Sequence, residues 1–193
     1  MTGTLDSSGL RPNAPQLIVV HSTRSYPEFG DLLAFHRERG FAGVGYHFFI
    51  SASNRVYQAR PMNIEGAHAL GFNLRSVGIC VHSKDGSIGK GVSETARALL
   101  TFVRGSIGDI EVISHTYAQV AYLNRLLDER GFGTHFDYGS DAVDPTVFDR
   151  ARSELERFLD GNAGCDEDIR RIITGFKNCP GPMFNDIVRV RAP

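Results

Sequence analysis

The sequence predicts a single α/β or α+β domain, and three observations carry that expectation. The chain has 193 residues of ordinary globular composition, 41 % hydrophobic and 22 % charged, enough for one sizeable core. Short β-branched runs alternate along it with longer stretches of helical period. No internal repeat, low-complexity tract or linker divides it.

Bulk chemistry excludes several functions. A net charge of −1 gives no general basic field for nucleic acid and no polybasic patch for a membrane. No apolar run approaches the roughly 20 residues that span a bilayer, so membrane insertion is not expected. Residues 1–15 are polar and rich in Ser, Gly, Pro and Asn, and read as a disordered arm before a domain at 16–193. The arm lacks the charged start and apolar stretch of a secretory signal, so synthesis in a cytoplasm is expected. Cys80, Cys165 and Cys179 are an odd set without a signal, which argues against a disulfide framework and leaves thiols for a metal.

The elements follow in order. Gln16 to Val20 is a buried strand ending at His21. Ser25 to Gly40 is a helix: Ser25 and Glu28 have capping-box spacing, Phe29, Leu32, Leu33 and His36 form a stripe, and Gly40 is a good stop. Val44 to Ser51 is a strand, with alternation putting Tyr46, Phe48 and Ile50 on one face and His47 and Phe49 on the other. Arg55 to Arg60 returns as its hairpin partner, Pro61 to Asn73 is a loop, and Ser76 to Val81 is a third clear strand. Val92 to Val103 is a helix with Ser93 as cap, and Ile110 to Ser114 is a strand that ends at His115. Helical patterns then occupy Ala118 to Arg130, Pro145 to Leu159 and Asp166 to Phe176, with Gly131 to Asp144 as a loop.

His21 and His115 each follow a strand, and Cys179 sits in a Pro/Gly-bounded loop. Two imidazoles and a thiolate leave one open position on a tetrahedral zinc ion, the pattern of a catalytic site. Spacing alone leaves other triples among the seven histidines and three cysteines open.

Four segments carry a resemblance. They are Leu17-Ile18-Val19-Val20-His21-Ser22; Arg39 to Phe48 with Arg55-Val56-Tyr57; Gly66-Ala67-His68-Ala69 with Asn73 and Ser76 to Cys80; and Lys177-Asn178-Cys179-Pro180-Gly181-Pro182. In these the chain resembles the zinc-dependent N-acetylmuramoyl-L-alanine amidases of the phage amidase-lysozyme and peptidoglycan recognition protein group. The resemblance implies a central mixed β-sheet flanked by helices, with zinc (Zn2+) held by His21, His115 and Cys179. It implies that Tyr46 and Lys177 assist catalysis and that His68 and Asn73 line the substrate groove. The substrate would be peptidoglycan, cleaved by zinc-activated water at the amide between N-acetylmuramic acid and L-alanine. The protein would act on the bacterial cell wall or its fragments, as a monomer.

One departure stands out. The family's second metal histidine lies shortly before the final motif, whereas Tyr117 to Phe176 separates His115 from the Cys179 segment. We therefore expect residues 117–176 to be a helical insertion, with His135, inside it, as the other candidate ligand. The insertion is expected to wall the groove, with Phe132, His135, Phe136 and Tyr138 reaching substrate. No second wall-binding domain is evident, so the chain need not come from a protein that anchors to thick walls. The competing expectation is a recognition module that binds peptidoglycan without turnover.

Overall fold

The computed structural model describes residues 5, 8–138 and 144–188. Five strands form one mixed sheet, in the order β3-β2-β4-β1-β5. The strands are β1 (Leu17–Thr23), β2 (Phe48–Ile50), β3 (Val56–Gln58), β4 (Ser76–His82) and β5 (Glu111–Ser114). β1 runs parallel to both β4 and β5, β2 is parallel to β4, and β3 is the antiparallel edge. β1 and β4 read as apolar runs because both faces are covered.

Strand alternation sorts the two cores. Ile18, Val20, Phe48, Ile50, Val77, Ile79 and Val81 face α2 (Lys90–Ile107) and α6 (Met183–Val188). The other face carries Val19, His21, Phe49, Gly78 and Cys80 and packs on α1 (Phe29–Glu38) and α3 (His115–Glu129). α3, α4 (Pro145–Gly161) and α5 (Glu167–Thr174) close a separate core around Leu123, Leu127, Ala151, Leu155 and Ile169.

Several boundaries differ from those expected, each for a local reason. α1 starts at Phe29 because Glu28 and Asp31, not Ser25 and Glu28, form the capping box. α2 is capped at Gly89, and Ser93 sits inside it with its hydroxyl donating to the Lys90 carbonyl. α3 begins at His115, with Ser114 as N-cap accepting from the Tyr117 amide. α6 is an element the sequence reading lacks, although Met183, Phe184 and Ile187 are spaced for one buried face. Part of the expected disordered arm is tied down. Pro12 bridges Ile64, Arg11 pairs with Glu65, and Asn13 is buried with its amide donating to the Met62 and Ser76 carbonyls. The rest of that arm, at residues 1–4 and 6–7, and the end of the 131–144 loop lie outside the described residues.

The largest correction falls on the Val44 to Ser51 strand, of which only Phe48–Ile50 pairs. At His47 the main chain still donates to the Gly78 carbonyl, but the ring takes the return bond: its Nδ1 accepts the Gly78 amide at 2.9 Å and its Nε2 donates to the Ile64 carbonyl at 2.9 Å. The chain is thereby turned at His47, and Tyr46 packs with Phe49 rather than with Phe48 and Ile50. Buried Arg60 fixes the approach, its guanidinium donating to the Val44 carbonyl at 2.6 Å and the Glu65 carbonyl at 2.8 Å.

His36 and His47 are buried acceptors, and burial is the main cause that pulls each imidazole pKa down to about 4. An unfolded histidine titrates near 6.5, so the unfolded chain binds more protons between about pH 6.5 and 4. Stability should therefore fall as pH is lowered through that window. Urea midpoints across it should show the loss, and His36→Gln should flatten the slope.

Candidate metal centre

Register brings the two histidines together. Val20 of β1 pairs in parallel with Ser114 of β5, so His21 and His115 leave the sheet side by side. Their ring centroids are 4.5 Å apart. Cys179 arrives from the loop after α5, and its Sγ accepts the Ser22 amide at 3.3 Å. One donor atom from each of His21, His115 and Cys179 lies within 4.8 Å of the others, and all three residues are buried. Three corners of a zinc tetrahedron need roughly 3.5 Å between them, so small side-chain adjustments suffice.

Thr116 holds this arrangement across a long gap in sequence. Its amide donates to the Cys179 carbonyl at 2.9 Å, and its hydroxyl accepts the Cys179 amide at 2.9 Å. The same hydroxyl lies 3.1 Å from both the Lys177 and Cys179 carbonyls. Gln119, one turn on, donates to the Gly175 carbonyl and accepts the Lys177 amide.

The donors suit a cation. His115 Nδ1 is buried with no hydrogen-bond partner, a costly state for a ring nitrogen unless something coordinates it. Burial, then Lys177, lowers the His115 pKa to about 3, and its place at a helix N-terminus also disfavours imidazolium. Burial, followed by His115, His68 and Lys177, holds His21 well below its usual value. Both imidazoles thus present lone pairs. Burial pushes the Cys179 thiol up, while Lys177, the Ser22 contacts and Arg24 pull it back. A bound divalent ion would reverse the first effect and keep the others.

Tyr46 and Lys177 border the cluster. The Tyr46 ring is 4.9 Å from that of His21, and its hydroxyl donates to the Cys80 sulfur. Burial, then the Cys80 and Cys179 thiols, keeps this phenol protonated well above its usual pKa. Lys177 is exposed, with its charge felt at His21, His115 and Cys179. His68 lies against His21, with Nδ1 3.0 Å from His21 Nε2. Asn73 turns inward: its Oδ1 accepts the His68 and Ala69 amides, both at 2.9 Å. His135 is not with the cluster; it is exposed and 2.6 Å from Asp128.

The expected groove residues of the 131–138 loop are packed elsewhere. Phe136 and Tyr138 are buried in the α3-α4-α5 core, where the helices need an apolar lid, and Phe132 stacks edgewise on Phe158. A cavity of about 530 Å³ runs along this flank of α3 beside Asn124 and Asp128 and holds none of the three donors. Helices α4 and α5 reach the centre with other side chains. Phe148 and Arg152 of α4 join Ser22, Arg24, Lys177 and Cys179 around a depression of about 400 Å³. Arg171 and Ile172 of α5 join Leu70, His115 and Tyr122 around one of about 130 Å³.

A mixed sheet whose parallel strands lead into a buried His/His/Cys donor set defines an α/β protein with a candidate metal site. The N-acetylmuramoyl-L-alanine amidase family matches residues 11–131, more than half of the chain, and the chain belongs to that family. Its match to an endolysin of Klebsiella phage KP32 is 35 % identical over 68 residues, 33 % of this chain and 45 % of the endolysin. A peptidoglycan-recognition protein of Drosophila melanogaster is 33 % identical over 73 residues, 33 % of this chain and 40 % of that protein. These matches span less than half the length of either relative. The solved N-acetylmuramoyl-L-alanine amidase LysC from Clostridium intestinale superposes with a TM-score of 0.55 at 25 % identity, over 61 % of this chain and 81 % of that one.

Sequence reasoning missed Thr116, Ser22, Gln119 and Arg24. In sequence Arg24 stands out only by lying three residues after His21, and Thr116 only as the neighbour of His115. Replacing Thr116 by Val should leave the Cys179 amide unsatisfied and cost about 1–3 kcal/mol. Thr116→Ser should keep most of that stability. Thermal unfolding, with zinc content measured on the same samples, checks both.

Proposed function

We propose that the chain hydrolyses peptidoglycan at the amide between N-acetylmuramic acid and L-alanine in a zinc-dependent reaction, acting on the bacterial wall or its fragments. The convergence of His21, His115 and Cys179 at buried, mutually close donor atoms carries this reading. Three protein ligands with an open fourth position suit a catalytic rather than a structural zinc site. Zinc bound there supplies Lewis acidity, acidifying water and polarising the scissile carbonyl.

The chain's own residues supply the rest. Lys177, exposed at the rim and close to all three donors, stabilises negative charge as it develops on the carbonyl oxygen. Tyr46, held protonated, positions the attacking water or relays a proton. A thiol ligand with these two neighbours favours turnover over binding alone. The inserted helices narrow the approach, since Phe148 and Arg152 stand beside Lys177 and Cys179.

Replacing His21, His115 or Cys179 by Ala should lower zinc occupancy and abolish release of peptides with a new L-alanine amino terminus from purified sacculi. His135→Ala should keep both. Tyr46→Phe and Lys177→Ala should load zinc normally and lose on the order of 10²–10³ in turnover. Tight binding of muropeptides by the zinc-loaded wild type with no cleavage would assign the chain to recognition instead.

Phe148→Ala and Arg152→Ala test the groove wall. Each should raise KM for soluble muropeptides several-fold while leaving zinc content intact. Unchanged KM and stem-peptide preference in both would make the inserted helices a brace.

A further inference from the structure

We infer that Ser76 and His68 form a hydrogen-bond relay that fixes the His21 tautomer and turns its Nδ1 toward the metal position, which makes both metal-positioning residues. The relay starts at a group that can only accept. The Phe72 carbonyl takes the Ser76 hydroxyl proton at 2.7 Å. Ser76 Oγ also lies 3.4 Å from His68 Nε2. A hydroxyl has one proton, and the shorter contact claims it, so the serine oxygen accepts from His68 Nε2–H. A neutral imidazole protonated at Nε2 carries its lone pair on Nδ1. That atom, 3.0 Å from His21 Nε2, accepts the His21 proton. His21 is then protonated at Nε2, and its free lone pair is on Nδ1. His115 has the same nitrogen available, since its Nδ1 is buried without a hydrogen-bond partner.

The surroundings hold His68 in this role. A side chain at Gly78 would meet the His68 ring at 2.6 Å, and one at Gly66 would also collide with it, so the ring occupies a slot that glycines leave open. Asn73 Oδ1 anchors the backbone beneath it. Ser76 is fully buried at the start of β4. Metal-bound histidines generally use the second ring nitrogen in this way, and losing such a partner costs about 10–100-fold in metal affinity.

The inference rests on the zinc reading, but its test can be read separately. Nitrogen NMR of histidine tautomers in the metal-free full chain should find His21 and His68 protonated at Nε2. Zinc affinity, measured by chelator competition, should fall about 10–100-fold in Ser76→Ala and in His68→Leu. His68→Gln, whose amide oxygen can accept the His21 proton, should retain affinity within a few-fold. Thermal unfolding of each variant separates this from loss of fold. His21 protonated at Nδ1 in the wild type, or wild-type zinc affinity in folded His68→Leu, would overturn the relay. If the wild type takes up no zinc at all, the hydrolase reading fails, and the tautomers still decide the hydrogen-bond chain.

Discussion

Four backbone and side-chain contacts of Thr116 decide whether the site exists. β1 and β5 can bring His21 and His115 together by sheet register alone. Nothing in the sheet brings Cys179, which returns only after the α4 and α5 excursion. Thr116 solves this by offering its amide and hydroxyl to the main chain of residues 177–179. The bonds are buried, where leaving a main-chain amide unpaired is costly. Because they address backbone and not side chains, they fix the path of the returning segment. The Cys179 sulfur is delivered to the Ser22 amide as a consequence.

This clasp also explains how a long helical excursion is tolerated. The segment leaves and re-enters at one point, so its length adds little strain to the sheet and costs mainly loop-closure entropy, which grows slowly. The excursion offsets that cost with a core of its own around Leu127, Ala151, Leu155 and Ile169. Its aromatic loop residues are consumed in that core, which is why Phe136 and Tyr138 do not reach the centre. Helix faces set by the same packing aim Arg152 and Arg171 at the depressions beside Cys179 and His115 instead.

The sheet and the helices were legible because β1, β4 and the amphipathic helices are set by local period and burial. The convergence of His21, His115 and Cys179 was legible through context, two strand-ending histidines and a Pro/Gly-bounded cysteine, and through family resemblance. The Tyr46 strand differs from its expected form because alternation assumes that backbone fills the ladder. At His47 a side-chain nitrogen fills it, and no periodicity records that substitution. Thr116 and Ser76 were invisible for a related reason. A buried threonine or serine that bonds main chain looks like any small polar residue until the partner's position is known. The tie between Asn13 and the 62–76 region was hidden in the same way, inside a composition that reads as disorder.

Electrostatics make the centre selective about what it accepts. Burial drives His21 and His115 to their neutral forms, so the two imidazoles bind protons poorly, while it raises the Cys179 thiol and holds the proton on sulfur. The fixed donors around the sulfur, the Ser22 amide and the Lys177 and Arg24 charges, favour a thiolate but cannot alone overcome burial. A bound divalent cation, as proposed here, would supply the missing charge at the three donor atoms. Lys177 would oppose such a cation by repulsion. It lies at the exposed rim, where solvent screens the repulsion, yet it stays close enough to act on charge developing inside. On the proposed zinc reading, the same lysine would weaken metal binding slightly and strengthen the response to negative charge, a division that depends on keeping it outside the buried triad.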